Sequence, residues 1–174
     1  ALQVAVALQA LHEQNIVHRD LKSENVFLVG GDDGYPVVKL LDFGLVRFLY
    51  PDTAAPGDEG DFDDMTDTLT RTGFVVGTLG YMSPEQVRGL PLDPRSDLYS
   101  LGVVLYEMLT GRKPYVGTTA MELMEQHVEG RRAPLPPELA RFEAVLAPLM
   151  ATERDDRFPD AATTLEALTA LDAA

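Results

Sequence analysis

The 174-residue sequence predicts an α+β fold that is mostly helical and carries one short β-hairpin. Three observations point there. Apolar residues at helical spacing open the chain and return in four segments beyond residue 95. Two short runs rich in Val and Leu flank a turn rich in Gly and Asp. The apolar fraction, 45%, is that of one soluble globular domain or part of one.

The first element runs from Ala1 to Gln14, without Pro or Gly, and sets Val4, Leu8 and Leu11 on one helical face with Ala7 beside them. It reads as helix from its first residue. No Ser, Thr, Asp or Asn cap, initiator Met or signal peptide precedes it, so Ala1 is expected to be a truncation point inside a fold. The hairpin follows, Val26 to Val29 and Val37 to Leu41 around a turn from Gly30 to Pro36. Between Pro51 and Asp67 the composition shifts. Asp52, Asp58, Glu59, Asp61, Asp63, Asp64 and Asp67 stand there with no basic residue among them, which reads as a solvated loop.

Ser96 is the expected cap of a helix from Asp97 to Thr110, whose apolar residues wrap nearly all round and which Gly111 closes. A helix apolar on every side belongs at the centre of a fold. Three more are expected, from about Thr119 to Glu129, Pro137 to Met150 and Pro159 to Leu171.

Composition removes several function classes. The absence of Cys excludes disulfides, thiolate catalysis and zinc ribbons, and is compatible with a cytoplasmic location. A net charge of −14, from 28 acids against 14 bases, disfavours a general nucleic-acid binder, which needs a basic face for phosphates. No run of 18 apolar residues marks a membrane segment.

The chemistry lies between the first helix and the hairpin's end. His18-Arg19-Asp20-Leu21-Lys22-Ser23-Glu24-Asn25 follows the helix and Asp42-Phe43-Gly44 follows the second strand, so two acids and an amide gather on loops around two strands. Their hard oxygens suit Mg²⁺. The first string resembles the catalytic loop of protein kinases and the second matches their magnesium-binding triplet. A lone Asp-Phe-Gly would be weak; the two strings at the family's separation are specific. Gly77-Thr78-Leu79-Gly80-Tyr81-Met82-Ser83-Pro84-Glu85 looks like the end of an activation segment. Ser96-Asp97-Leu98-Tyr99-Ser100-Leu101-Gly102 looks like the start of the family's buried central helix, and Arg157 falls where a late Arg pairs with the segment's Glu. Lys22 and Thr78 point to the Ser/Thr branch, and the wording of Gly77 to Gln86 is closest to bacterial kinases.

The resemblance covers Leu2 to Leu171 and implies the larger, C-terminal lobe alone, residues 1–174, with an activation segment at about 42–85 and an acidic insert at 51–67. The smaller N-terminal lobe, with its Gly-rich loop, strand Lys and helix Glu, is expected to be missing. The implied reaction is transfer of the ATP γ-phosphoryl group, with Mg²⁺, to Ser or Thr hydroxyls of protein substrates. Asp20 would orient the attacking hydroxyl, and Lys22 would put a point charge on the transferring phosphate. Asn25 and Asp42 would hold Mg²⁺, with Lys22, Glu24, Asn25, Phe27 and Asp42 around the nucleotide.

His18 and Phe43 are similar to residues that stack in the family's regulatory spine. Asp97 is expected to accept hydrogen bonds from the catalytic-loop backbone, since an acid opening an apolar helix is costly to bury unpaired. Arg19 marks kinases whose segment is ordered by phosphorylation, with Thr70 and Thr72 favoured over Thr66 and Thr68 as the modified residues. Ser23 stands where Pro is usual and Ser83 where Ala is usual. The expected behaviour is a lobe inactive in isolation; the alternative is a non-catalytic kinase-like remnant or scaffold. An unrelated magnesium phosphatase lacks a second acid cluster.

Overall fold

The computed structural model describes residues 1–31, 34–41 and 76–172. Helix α1, Leu2–His12, buries Val4, Ala5 and Leu8 against the C-terminal helix and the hairpin. It closes in a Schellman motif: Asn15 takes the left-handed conformation (φ 58°), its N–H donates to the His12 carbonyl, and the Ile16 N–H reaches the Leu11 carbonyl. Asn tolerates that conformation better than most residues because its short side chain is polar.

Strand β1, Val26–Gly30, pairs antiparallel with β2, Pro36–Leu40, Val26 facing Leu40 and Gly30 facing Pro36. The sheet is docked by α1. Gln3 Nε2 donates to the Pro36 carbonyl at 3.0 Å, and Gln3 Oε1 accepts from the Val38 N–H at 2.7 Å. Phe27 and Val37 stay exposed on one face of the hairpin and Leu28 on the other.

Two short helices, α2 (Val76–Leu79) and α3 (Pro84–Val87), lead to the central helix α4, Pro94–Thr110. Ser83 and Gln86 close α3 in a capping box. The cap of α4 differs from the sequence expectation. Asp93, not Ser96, accepts from the Arg95 N–H at 2.8 Å, because Pro94 is pre-shaped for the first helical position and starts the helix one turn earlier. Every residue of α4 from Ser96 to Tyr106 is buried, and Gly111 (φ 70°) ends it.

Helix α5, Ala120–Glu129, is capped by Thr119 and closed by Gly130. The single helix expected from Pro137 to Met150 is two elements, a 3₁₀ helix Pro137–Phe142 and α6, Glu143–Leu149. Pro136 offers no side-chain acceptor, so the first turn tightens to an i+3 bond from the Leu139 N–H to the Pro136 carbonyl. A 3₁₀ turn, Arg154–Asp156, precedes α7, Ala161–Asp172, where Asp160 accepts from the Thr163 N–H. None of these helices is long and apolar enough to cross a membrane.

The core wraps α4 and joins Leu8, Leu21, Leu98, Leu101, Leu146 and Leu149. A hydrogen at Gly102 lets α4 approach closely, since a Cβ there would lie 2.7 Å from Met150 Cγ and 2.9 Å from Leu149 Cβ. One polar chain crosses this interior. The Tyr99 hydroxyl bonds to the Tyr115 hydroxyl at 2.9 Å and to His127 Nδ1 at 3.0 Å, and the His127 and Tyr115 ring centres lie 4.1 Å apart with their planes tilted by 45°. Burial first, with the Lys113 charge adding to it, pushes the His127 imidazole down to about 3.

A histidine held neutral stabilises the fold fully above its unfolded pKa of about 6.5, and that contribution fades as pH falls toward about 3. Between pH 7 and 5 the loss amounts to about 2 kcal/mol. Denaturant titrations of the chain and of His127→Gln should therefore show a stability profile flatter by about that amount in the variant. Parallel profiles would mean that His127 titrates in the folded state as it does unfolded.

Candidate active site

A carboxylate stripped of water must be hydrogen-bonded. Asp97, in the first turn of α4, is 1% exposed and meets that demand with three donors from the opposite side of the core. Its Oδ2 accepts from the His18 N–H at 2.8 Å, its Oδ1 from the Arg19 N–H at 2.9 Å, and its Oδ2 also contacts His12 Nε2 at 2.8 Å. His12 has no place among the sequence-derived candidates. Its position at the end of α1 gives no signal until the fold brings it to residue 97.

These bonds hold Arg19 in a left-handed conformation (φ 68°), unusual for a side chain of its size. Gln86 Nε2 adds a fourth restraint by donating to the Arg19 carbonyl at 2.8 Å. The sharp turn throws the next residue, Asp20, outward. Its Oδ2 accepts from Lys22 Nζ at 2.8 Å and from Asn25 Nδ2 at 3.2 Å, while Asn25 Nδ2 also donates to the Asp20 carbonyl at 2.9 Å. Lys22 Nζ lies 3.5 Å from Thr78 Oγ1, which ties the loop to the end of α2. The Lys22 and Asp20 side chains are only 20% and 11% exposed, so their attraction is less screened than at the surface.

The amide of Asn25 has its nitrogen turned to Asp20, which makes its Oδ1 the atom suited to a cation. Asn25 sits in the 3₁₀ turn Ser23–Asn25, with Glu24 exposed beside it. Phe27 follows on β1, 47% exposed. His18 is fully buried. Asp42, Phe43, Gly44, Thr70 and Thr72 lie outside the described residues, as does the acidic run. Among the described residues no cluster of three His, Cys, Asp or Glu side chains gathers to hold a metal.

A second carboxylate absent from the sequence-derived set sits beside the loop. Glu107, on the last turns of α4, accepts from Ser23 Oγ at 2.5 Å and from the Tyr81 hydroxyl at 2.6 Å. Its acidic side chain within the apolar stretch that follows Ser100 was the available signal. Burial first, then the Glu107 bond, raises the Tyr81 phenol well above its ordinary value.

Glu85 and Arg157 form the innermost ion pair. Arg157 Nη1 and Nη2 donate to the two Glu85 oxygens at 2.7 and 2.8 Å, a bidentate fork. The remaining guanidinium hydrogens reach the carbonyls of Ala151, Arg95 and Thr152. Ser96 Oγ gives Glu85 a further bond at 2.7 Å. Burial works to raise the Glu85 carboxyl, but the Arg157 hydrogen bonds and charge outweigh it and hold the group below the usual carboxylate range.

Residues 1–158 match the protein kinase domain. The chain belongs to the protein kinase family. It is 40% identical to the probable serine/threonine-protein kinase PknB of Bifidobacterium longum over 166 residues, which are 92% of this chain and 21% of that protein. It is 40% identical to serine/threonine-protein kinase pkn2 of Myxococcus xanthus over 153 residues, 85% of this chain and 17% of the relative. Serine/threonine-protein kinase PknB of Mycolicibacterium smegmatis is 38% identical over 168 residues, 91% and 24%. This kinase chain thus spans about a fifth of the length of the relatives it matches.

Removing one partner of a buried, hydrogen-bonded pair strands the other charge at about 3–5 kcal/mol. Arg157→Ala in this kinase chain should lower the melting temperature by roughly 10 °C, read by calorimetry. A change of no more than about a degree or two would show that the pair does not hold the folded chain together.

Proposed function

We propose that this chain is the catalytic, C-terminal lobe of a Ser/Thr protein kinase, transferring the γ-phosphoryl group of ATP to Ser and Thr hydroxyls of protein substrates. The observation that carries the reading is the Asp20 carboxylate, presented by a strained turn and touched by both Lys22 and Asn25. Phosphoryl transfer asks for alignment and electrostatics rather than covalent catalysis. Asp20 Oδ orients the substrate hydroxyl and takes its proton as the oxygen attacks phosphorus in line with the leaving diphosphate. Lys22 Nζ, already 2.8 Å from Asp20, stabilises the charge on the transferring group.

Asn25 together with Asp42 would supply hard oxygens of the kind Mg²⁺ takes alongside nucleotide phosphates, and the orientation of the Asn25 amide suits that role. Bound there, the ion would neutralise phosphate charge. Lys22, Glu24 and Phe27 line the same edge of the fold as candidates for nucleotide contact. The exposed apolar residues of the hairpin, Phe27 and Val37 on one face and Leu28 on the other, suit a covering smaller lobe that completes the nucleotide cleft. Without it, Asn25 and Lys22 would meet ATP open to bulk water, and the isolated chain is expected to transfer phosphate poorly. A cytosolic setting, where ATP is supplied, fits this reading.

Regulation runs through the activation segment, from Asp42 to Glu85. Arg19, held beside Asp20 by Asp97 and Gln86, is the residue expected to read phosphates on Thr70 and Thr72. In the full-length protein carrying this chain, phosphopeptide mapping after incubation with Mg·ATP should find those two threonines modified. Modification of other Ser or Thr residues, with both left bare, would overturn the assignment.

Asp20→Asn and Asp42→Asn in the same protein should each lower phosphoryl transfer by at least about a hundredfold. Only the Asp42 change should weaken Mg-dependent nucleotide binding in calorimetry. Equal loss of nucleotide affinity in both would sink the division of roles, and a wild-type protein that binds no Mg·ATP would favour a non-catalytic scaffold.

A further inference from the structure

Ser23 is the residue of the loop for which phosphoryl transfer itself has no use, and its hydrogen bond is the shortest one around the site. The Oγ donates to Glu107 Oε2 at 2.5 Å, and the Tyr81 hydroxyl donates to the same oxygen at 2.6 Å. Two segments 58 residues apart in sequence therefore converge on one carboxylate. That carboxylate stands on α4, the helix that also carries Asp97.

The two acids are ten residues apart on α4, about 15 Å along its axis. Asp97 grips the backbone of His18 and Arg19, just before Asp20, and Glu107 grips Ser23, just after Lys22. The catalytic loop is thus fastened at both ends to a single rigid, buried rod. The Lys113 ammonium lies over the Tyr81 ring, 4.3 Å from its centre, and helps hold that ring in place.

We propose that Ser23 is a positioning residue, whose hydroxyl anchors the far end of the catalytic loop to Glu107 and so fixes Lys22 against Asp20 and Thr78. The inference rests on the kinase reading of Asp20 and Lys22. A hydrogen bond to an ionised acceptor is among the stronger kinds available to a hydroxyl. Pro at this position would stiffen φ but present no donor, and Glu107 would keep Tyr81 alone. This chain therefore restrains its loop from outside, through α4, rather than from within by a ring.

Two readouts test this in the full-length protein. In hydrogen–deuterium exchange, the peptide spanning Leu21 to Val26 should exchange about tenfold faster in Ser23→Ala and in Glu107→Leu than in wild type, and Ser23→Thr should keep wild-type protection. Unchanged exchange in Ser23→Ala overturns the anchor whether or not the protein is active. In steady-state kinetics on a Ser/Thr peptide, Ser23→Ala should lower kcat about tenfold with both KM values within about twofold, and Ser23→Thr should recover activity to within about threefold. Combined with Glu107→Leu, Ser23→Ala should cause no further loss, because either change removes the same bond. Unaltered kcat, parallel rises in KM, failure of Thr to rescue, or additive losses would overturn the positioning role. A wild type that transfers no phosphate sinks the kinase reading instead, while exchange still decides the anchor.

Discussion

The site depends on one buried acid. Asp97 is shut away from water at the start of the most buried helix, where an unsatisfied carboxylate would cost several kcal/mol. Its lone pairs are answered by the backbone N–H groups of His18 and Arg19 and by the imidazole of His12. Because those donors are backbone groups, satisfying the acid also dictates the path of the chain. The left-handed Arg19 follows, and with it the direction in which Asp20 leaves the core. Conformational strain at Arg19 is thus balanced by a hydrogen-bonding demand in the hydrophobic interior.

A second ionic centre works by the opposite geometry. Arg157 gathers all five of its N–H bonds onto Glu85 and three carbonyls, so α3, the start of α4 and the segment after α6 meet at one guanidinium. Its flat face lies 4.9 Å from the Tyr99 ring centre, next to the Tyr99, Tyr115 and His127 chain. Around Arg157 every guanidinium N–H finds an acceptor, the condition under which burial of a charge specifies structure instead of weakening it.

Much of this was legible in the sequence because local signals and tertiary demands agreed. The apolar sweep of α4, Thr119 and Gly130 bounding α5, and the spacing of the hairpin each follow from short-range chemistry. A serine before an apolar run has two uses, and for Ser96 the capping one is already filled by Asp93-Pro94. Its hydroxyl instead serves Glu85, eleven residues upstream, a partner no local pattern announces. The break after Phe142 likewise came from the missing side-chain acceptor at Pro136. His12 and Glu107 act through contacts spanning 84 or 85 residues, and such pairings emerge only when the chain is folded. The string from His18 to Asn25 was readable since its members lie within eight residues; the groups that hold it in place are scattered along the chain.

Gly102 gives the two networks a mechanical link. The bare α-carbon there lets α4 settle against Leu149 and Met150, and the two residues that come next, Ala151 and Thr152, offer their carbonyls to Arg157. A single methyl group at position 102 would act as a wedge, pushing that strip of backbone outward and pulling acceptors away from the guanidinium. Asp97, five residues earlier on the same rod, would feel the displacement at its other end. The smallest side chain in the core therefore sets the tolerance to which the loop around Asp20 is machined.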